Sequence, residues 1–245
     1  MRIAVISDIH GNLDALRAVL DEVHDHGCDA IANLGDLVSG PLWPAETAEL
    51  LMHTSAHTIR GNHERQLLDP DLAAMGASDA YARRSLDAAQ LDWIAALPAT
   101  LRLDGDVLLC HGTPGSDLDY LLERVDDDGV RAAREDEVAA KLASTDARLV
   151  LCGHSHVPRA VRLRDGRWCV NPGSVGLQAF RADHPRPHTV QGGHPAARYA
   201  ILTRDRADWR VDLLAVDYDP LPAARLAAQR GREDWERALR SGRLS

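Results

Sequence analysis

Residues 3–10 read Ile3-Ala4-Val5-Ile6-Ser7-Asp8-Ile9-His10, a short apolar run followed directly by an acidic residue and a histidine. A continuous apolar run of this length predicts a strand that is buried on both faces of a sheet. Two further strand-like runs, at 30–34 and 57–60, are followed by Gly35-Asp36 and Gly61-Asn62-His63. Helical periodicity between these runs predicts a βαβαβ order with parallel strands and right-handed crossovers.

The second half of the chain predicts more strands, and two of them carry the same kind of motif. Strand-like runs at 107–110 and 149–152 lead into His111-Gly112 and Gly153-His154-Ser155-His156. All five motifs therefore stand directly after a predicted strand. Because α/β folds place ligands at the carboxyl ends of parallel strands, we expect these side chains to meet at one edge.

Three less regular segments complete the predicted organisation. We expect a polar, partly helical insertion over 113–145, a Pro/His-rich loop over 181–196 and a charged helical tail over 221–245. The length favours one large α/β domain over residues 1–245.

Bulk composition limits the function classes. The net charge of −9 argues against nucleic acid as a partner, because duplex binding rests on a basic surface. No apolar run approaches the roughly 18 residues of a membrane span, so no membrane partner is expected. The N-terminus lacks a cleavage signal, which favours a cytoplasmic protein. The four cysteines form no Cys-x-x-Cys pair, and the oligomeric state is left open.

The motif residues make a mixed nitrogen and oxygen ligand set, which suits Mn²⁺, Fe, Ni²⁺ or Zn²⁺ rather than Ca²⁺. A strand-end aspartate can bridge two cations about 3.5–4 Å apart, the spacing used for in-line phosphoryl displacement. A water held between two such cations becomes the nucleophile near neutral pH, so no covalent serine or cysteine is required. A single histidine of this kind is more often a satisfied core residue, and the prediction rests on the whole set.

The motifs, together with the segments 35–41, 60–64 and 171–176, resemble the calcineurin-like metallophosphoesterase superfamily. The resemblance runs from residue 1 to about residue 215 and is strongest to the small bacterial and archaeal phosphodiesterases. It implies a four-layer α-β-β-α sandwich of two mixed sheets. It also implies two divalent metal ions, with manganese favoured over iron, nickel or zinc.

The resemblance also implies a role for each motif residue. One metal would be held by Asp8, His10, Asp36 and His156, and the other by Asp36, Asn62, His111 and His154. His63 would be catalytic and would protonate the leaving oxygen or stabilise charge on the phosphate. Arg60 would either contact phosphate or be an exposed arginine at a strand end.

We therefore expect a phosphoesterase that attacks small phosphate esters, most of all phosphodiesters of small nucleotides, with metal-bridging hydroxide. One alternative is a phosphomonoesterase or a Ser/Thr protein phosphatase. Another is a non-catalytic scaffold with the same fold, although such a protein should have lost ligands. The histidines of the 181–196 segment are expected to be solvated without a direct role.

Overall fold

The computed structural model describes residues 1–71, 75–206 and 208–245, which form fourteen strands and eight helices. The strands are β1 (Arg2–Ile6), β2 (Ala30–Asn33), β3 (His57–Thr58), β4 (Thr100–Leu103), β5 (Val107–Cys110), β6 (Glu123–Asp126), β7 (Gly129–Ala132), β8 (Leu149–Leu151), β9 (Arg159–Arg162), β10 (Trp168–Asn171), β11 (Ala179–Ala182), β12 (His188–Gln191), β13 (Ala197–Asp205) and β14 (Asp208–Val216). The helices are α1 (Leu13–Asp25), α2 (Pro44–Met52), α3 (Asn62–Leu67), α4 (Ala77–Ser85), α5 (Ala88–Ala96), α6 (Glu135–Lys141), α7 (Leu221–Gln229) and α8 (Glu233–Ser241).

Ten of the strands form two five-stranded sheets that are both mixed. The first has the order β14-β13-β1-β2-β3, with β1, β2 and β3 parallel to one another. The second has the order β4-β5-β8-β10-β9, with β5, β8 and β10 parallel. The predicted βαβαβ unit is therefore present in the first sheet, and the predicted pair of mixed sheets is confirmed.

The two sheets pack face to face across a shared apolar core. Ile3 and Val5 point into this core from β1, and Val107 and Leu109 point into it from β5. The intervening residues of both strands face outward into separate clusters with the helices. Strands covered on both faces explain why these sequences are continuous apolar runs.

Helices cover the outer faces and give the four layers that the resemblance implied. Leu16 and Val19 of α1, with parts of α2, α4 and α5, pack against the first sheet. Val138 of α6 packs against the second sheet beside the buried, free cysteines Cys110 and Cys152. No helix in the described part of the chain is long and apolar enough to cross a bilayer.

One predicted segment has a different structure. The loop expected over 181–196 is largely a β-hairpin, in which β11 and β12 pair in antiparallel register from Ala179–Gln191 to Ala182–His188. Its proline and glycine content suggested a solvated loop, but Pro185 and Pro187 lie in the turn, and Gly192, Gly193 and Pro195 follow β12. The insertion over 113–145 contains a second hairpin, β6–β7, in addition to α6.

The tail is helical, as predicted, and it packs against the hairpin. Alanines of α7 and Trp235 of α8 form an apolar cluster with Leu177 and Ala179. The Leu244 amide donates to Gln191 Oε1 over 2.9 Å, which fixes the end of the chain to β12. Hairpin and tail therefore form one surface next to the carboxyl edge of the first sheet.

A buried carboxylate on β6 predicts how stability depends on pH. Glu123 is 3% exposed, and neither of its oxygens makes a well-formed hydrogen bond among the described residues. The guanidinium of Arg159 stands 3.9 Å away. Burial raises the pKa of Glu123 to about 7, although Ser155, Arg159 and Lys141 act in the opposite direction.

The folded protein holds the carboxyl proton of Glu123 more tightly than the unfolded chain does. The contribution of this protonation to the free energy of unfolding is therefore fully present below about pH 4.5 and is lost as the pH rises through about 7. Glu123→Gln removes the ionisation and keeps the shape. Relative to the natural protein, it should gain up to roughly 3 kcal/mol in unfolding free energy between pH 4.5 and pH 8. Urea unfolding in metal-free buffer measures this, with the exposed Glu49→Gln as control. A difference that is the same at both pH values would contradict the assignment.

Candidate metal centre

The residues proposed as ligands lie at the carboxyl edges of the two sheets. They follow the strands in this order: Asp8 and His10 after β1, Asp36 after β2, Asn62 at the start of α3, His111 after β5, and His154 and His156 after β8. All are buried except His154, which is partly buried. Packing the two sheets face to face is what brings the two sets of strand ends together.

Many residues at this edge have a backbone conformation that residues other than glycine rarely adopt. Left-handed φ values between 54° and 66° occur at Asp8, His10, Asp36, His154 and His156. Such a conformation is unfavourable for residues other than glycine and persists only where the surroundings enforce it. Here the amide of Asp8 donates to Gly35 O, and the amide of His10 donates to Asp36 O. The strain is concentrated at the proposed ligands.

The first potential ligand group consists of Asp8, His10 and His156, whose ligand atoms lie within 4.8 Å of one another. Ring atom Nδ1 of His10 lies 2.9 Å from Ser39 O, and that of His156 lies 2.6 Å from Leu177 O. Because a carbonyl can only accept, both rings carry their proton on Nδ1 and leave Nε2 as a lone pair. The two Nε2 atoms are 3.2 Å apart.

The second group consists of Asp36, His111 and His154. His111 donates Nδ1–H to Leu34 O over 2.8 Å, and His154 donates Nε2–H to Leu118 O over 3.1 Å. Nε2 of His111 lies 3.1 Å from Asn62 Oδ1 and 3.2 Å from Asp36 Oδ2.

The two groups adjoin each other. Within the second group, the rings of His111 and His154 have centroids 4.9 Å apart. The His154 amide in turn donates to the Asp8 carboxylate of the first group over 3.1–3.2 Å.

This arrangement fits a pair of divalent cations. In the first group, the Nε2 atoms of His10 and His156 face each other at about hydrogen-bond distance with no proton left to place between them. In the second group, the oxygens of Asn62 and Asp36 both face Nε2 of His111. A cation between such atoms converts repulsion into coordination, and backbone carbonyls already orient each ring as outer-shell partners do in metal sites.

The titration behaviour of the groups also suits metal binding. Burial and the neighbouring His156 lower the pKa of His10 to about 4, and burial and His111 lower the pKa of His154 to about 3. Burial opposes ionisation of Asp36, but the positive charge of the His111 imidazolium outweighs it and holds the pKa of that carboxyl well below its usual range. At neutral pH, two imidazoles and the carboxylate are thus in the protonation state that a metal requires.

Beside the ligand groups, His63 pairs with an aspartate from α4. Nδ1 of His63 lies 2.8 Å from Asp79 Oδ1, and that oxygen also accepts the Ser39 hydroxyl over 2.6 Å. Burial alone would lower the pKa of His63, but Asp36 and Asp79 raise it to about 9. His63 is therefore cationic at neutral pH, and its Nε2 has no hydrogen-bond partner among the described residues.

Two of these supporting residues had no assigned role in the sequence. Asp79 lies outside every motif. Glu64 belongs to a quoted segment, and its buried carboxylate accepts three amides, those of Asp36, Leu37 and Gly61, at 2.8–2.9 Å. By holding both turns together, Glu64 fixes the loop of Asp36 against the start of α3.

A cavity of about 530 Å³ opens above the two potential ligand groups. Its floor includes His10, Asp36, Asn62, His63, His154 and His156. Tyr120, Phe180 and Trp235 form apolar walls, and the ring of Phe180 lies 4.4 Å from that of His156. Arg60, for which phosphate contact was one of two expected roles, is not among the lining residues; the arginines that line the cavity are Arg181 and Arg232.

The hairpin contributes more to this cavity than its sequence suggested. His184 lines the cavity, and the buried His188 accepts the Tyr120 hydroxyl on Nε2 over 2.8 Å. Tyr120 packs on His154 with ring centroids 4.9 Å apart. The expectation that these histidines are simply solvated is therefore wrong for His188, which supports a wall of the cavity.

Comparison with known proteins gives a consistent result. A family model described as the calcineurin-like phosphoesterase superfamily domain matches residues 1–190. The chain is 27% identical over 230 residues to the uncharacterized protein MJ0912 of Methanocaldococcus jannaschii, covering 89% of this chain and 88% of that protein. It is 28% identical to a metallophosphoesterase of known structure from Sphaerobacter thermophilus, with a TM-score of 0.75 and coverage of 99% and 100% of the two chains. The hypothetical protein PH1004 from Pyrococcus horikoshii OT3 shares the fold, with a TM-score of 0.75 at 19% identity, over 100% of this chain and 99% of that one.

Proposed function

Because this chain belongs to the calcineurin-like phosphoesterase superfamily, we propose that it is a dinuclear metal-dependent phosphodiesterase for small, nucleotide-like substrates. The observation that carries the proposal is the pair of adjoining ligand groups on the cavity floor, with His63 beside them. When bound, two cations would neutralise charge on the phosphate and activate a water for attack. Manganese remains the first candidate for both positions.

The residues of the chain have three tasks in this proposal. Asp8, His10, Asp36 and His156 would hold one cation, and Asp36, Asn62, His111 and His154 would hold the other. The strained, hydrogen-bonded turns keep these groups in place before any substrate arrives. His63 would give its Nε2 proton to the leaving oxygen, because Asp79 keeps Nδ1 protonated and the ring cationic. The intact His63–Asp79 pair favours catalysis over a scaffold role.

The shape of the cavity favours a small diester over a phosphoprotein. A volume of about 530 Å³ falls within the roughly 300–1,000 Å³ typical of small-molecule sites. Hairpin, insertion and tail all contribute walls, which restricts the approach of a folded protein. The apolar residues among them can bury the second ester group of a diester, which a monoester lacks.

The test compares bis-p-nitrophenyl phosphate with p-nitrophenyl phosphate in the presence of Mn²⁺. Burying the second aryl group should contribute at least about 1.4 kcal/mol, so kcat/KM for the diester should be at least about tenfold higher. Parallel assays with Fe²⁺, Ni²⁺ and Zn²⁺ rank the metals. Faster turnover of the monoester would overturn the diester assignment in favour of a phosphomonoesterase.

A further inference from the structure

We propose that Arg181 forms a subsite for a second phosphate group of the substrate, next to the phosphodiester that is cleaved. This inference rests on the proposed function and adds a substrate class to it. The preferred substrates would be phosphodiesters that carry another phosphate, such as nucleotides with two phosphates.

The cavity has a buried floor and an exposed rim, built from different parts of the chain. The proposed metal ligands and His63 form the floor. The rim comes from the hairpin β11–β12 and from α8, and α8 lies beyond the 190 residues that the family model matches. Arg181 is exposed on β11 and lines the cavity together with Phe180, whose ring packs on His156 of the floor. A substrate whose phosphodiester rests on the floor would thus extend past Phe180 towards Arg181.

The other charged groups of the rim leave Arg181 as the available cation. Arg232 is already bound, since it donates to both carboxylate oxygens of Asp234 at 2.8–3.0 Å and to Ser78 Oγ over 2.8 Å. His184 stands 3.7 Å from an aspartate of the insertion. Within the described residues, the side chain of Arg181 has neither an ion-pair nor a hydrogen-bond partner. The exposed carboxylate of Asp183 also lines the cavity and would oppose an anion there.

The chemistry of the unpaired Arg181 guanidinium indicates that its ligand would be a phosphate group. A guanidinium offers paired N–H donors whose spacing matches two oxygens of a phosphate, and it stays charged at any physiological pH. The floor would already supply the cations for the scissile phosphate, so a guanidinium on the rim serves a different anion. The volume of the cavity leaves room for more than one phosphate group.

A matched pair of substrates tests the subsite. Thymidine 5′-(p-nitrophenyl phosphate) and its 3′-phosphorylated form present the same scissile diester and differ by one phosphate. We expect kcat/KM of the natural protein with Mn²⁺ to be about tenfold higher for the 3′-phosphorylated form, mostly through KM. Arg181→Gln should reduce this ratio to about one. Arg181→Lys should give an intermediate ratio, because lysine keeps the positive charge but lacks the paired N–H donors of the guanidinium. Asp183→Asn should raise the ratio.

The control is Arg225→Gln, which changes an exposed arginine on α7 that does not line the cavity. Its ratio of kcat/KM values for the two substrates should equal that of the natural protein.

A ratio near one in the natural protein, or a ratio in Arg181→Gln that stays near ten, would overturn the subsite and leave the phosphodiesterase proposal standing. If neither ester is cleaved, the proposed function fails. The subsite is then decided by calorimetry, in which thymidine 3′,5′-bisphosphate must bind more tightly than thymidine 5′-monophosphate and lose that advantage in Arg181→Gln.

Discussion

His63→Asn is expected to lower kcat for bis-p-nitrophenyl phosphate by a factor of about 100 to 10,000, the usual contribution of a general acid. The asparagine cannot deliver a proton to the leaving oxygen, whereas the cationic imidazole paired with Asp79 can. The proposed ligand groups do not include His63, so calorimetric titration with Mn²⁺ should still give two ions per chain. Kinetics and metal titration of the same preparation measure both parts.

Two companion variants sharpen this prediction. Asp79→Asn acts through His63 and should cost about 10- to 100-fold, as expected for an outer-shell partner, and should lower the pKa of His63 seen in the pH–rate profile. His53→Asn changes an exposed histidine that follows α2 and should leave kcat unchanged. Undiminished turnover in His63→Asn would show that another group protonates the leaving oxygen.

The second large effect is expected at Asp36. Asp36→Asn keeps the shape of the side chain but removes the negative charge at the centre of the second ligand group. The affinity for at least one cation should fall by more than about 100-fold, beyond the loss typical of outer-shell partners. Turnover should collapse with it, and the pKa of His111, which Asp36 raises against the effect of burial, should fall.

Metal titration and a histidine-detected NMR pH titration of the metal-free protein measure these changes. Asp92→Asn, an exposed aspartate on α5, serves as the matched control for the chemical change. An Asp36→Asn protein that is folded and still binds two ions with the natural affinity would remove Asp36 from the metal centre.

The strands of the two central sheets could be predicted because burial on both faces produces an unambiguous local pattern. Ile3–Ile6 and Val107–Cys110 are such runs, and the structure has strands at both places. The motif residues follow strand ends, so placing the strands also placed the side chains at one edge. Predicting this part of the site required only the local hydrophobic pattern and the topology of the sheets.

Asp79 could not be found in the same way, because its role depends on a contact between helices. Nothing local in α4 distinguishes it from an ordinary exposed aspartate, yet it is 5% exposed and bonded to His63 and Ser39. The hairpin shows the same limit. Its strands have only four residues each, and His188 is held by Tyr120, 68 positions away in the chain. Arg181 and Arg232 reach the cavity through this long-range packing, whereas Arg60 lies next to a motif but does not line the cavity.

The central claim is that two cations bind side by side at the meeting edges of the two sheets. Anomalous diffraction from crystals of the protein grown with Mn²⁺ tests it most directly. Two manganese peaks about 3.5–4 Å apart are expected, one beside Asp8, His10 and His156 and the other beside Asp36, His111 and His154. A single peak, or peaks away from both groups, would contradict it.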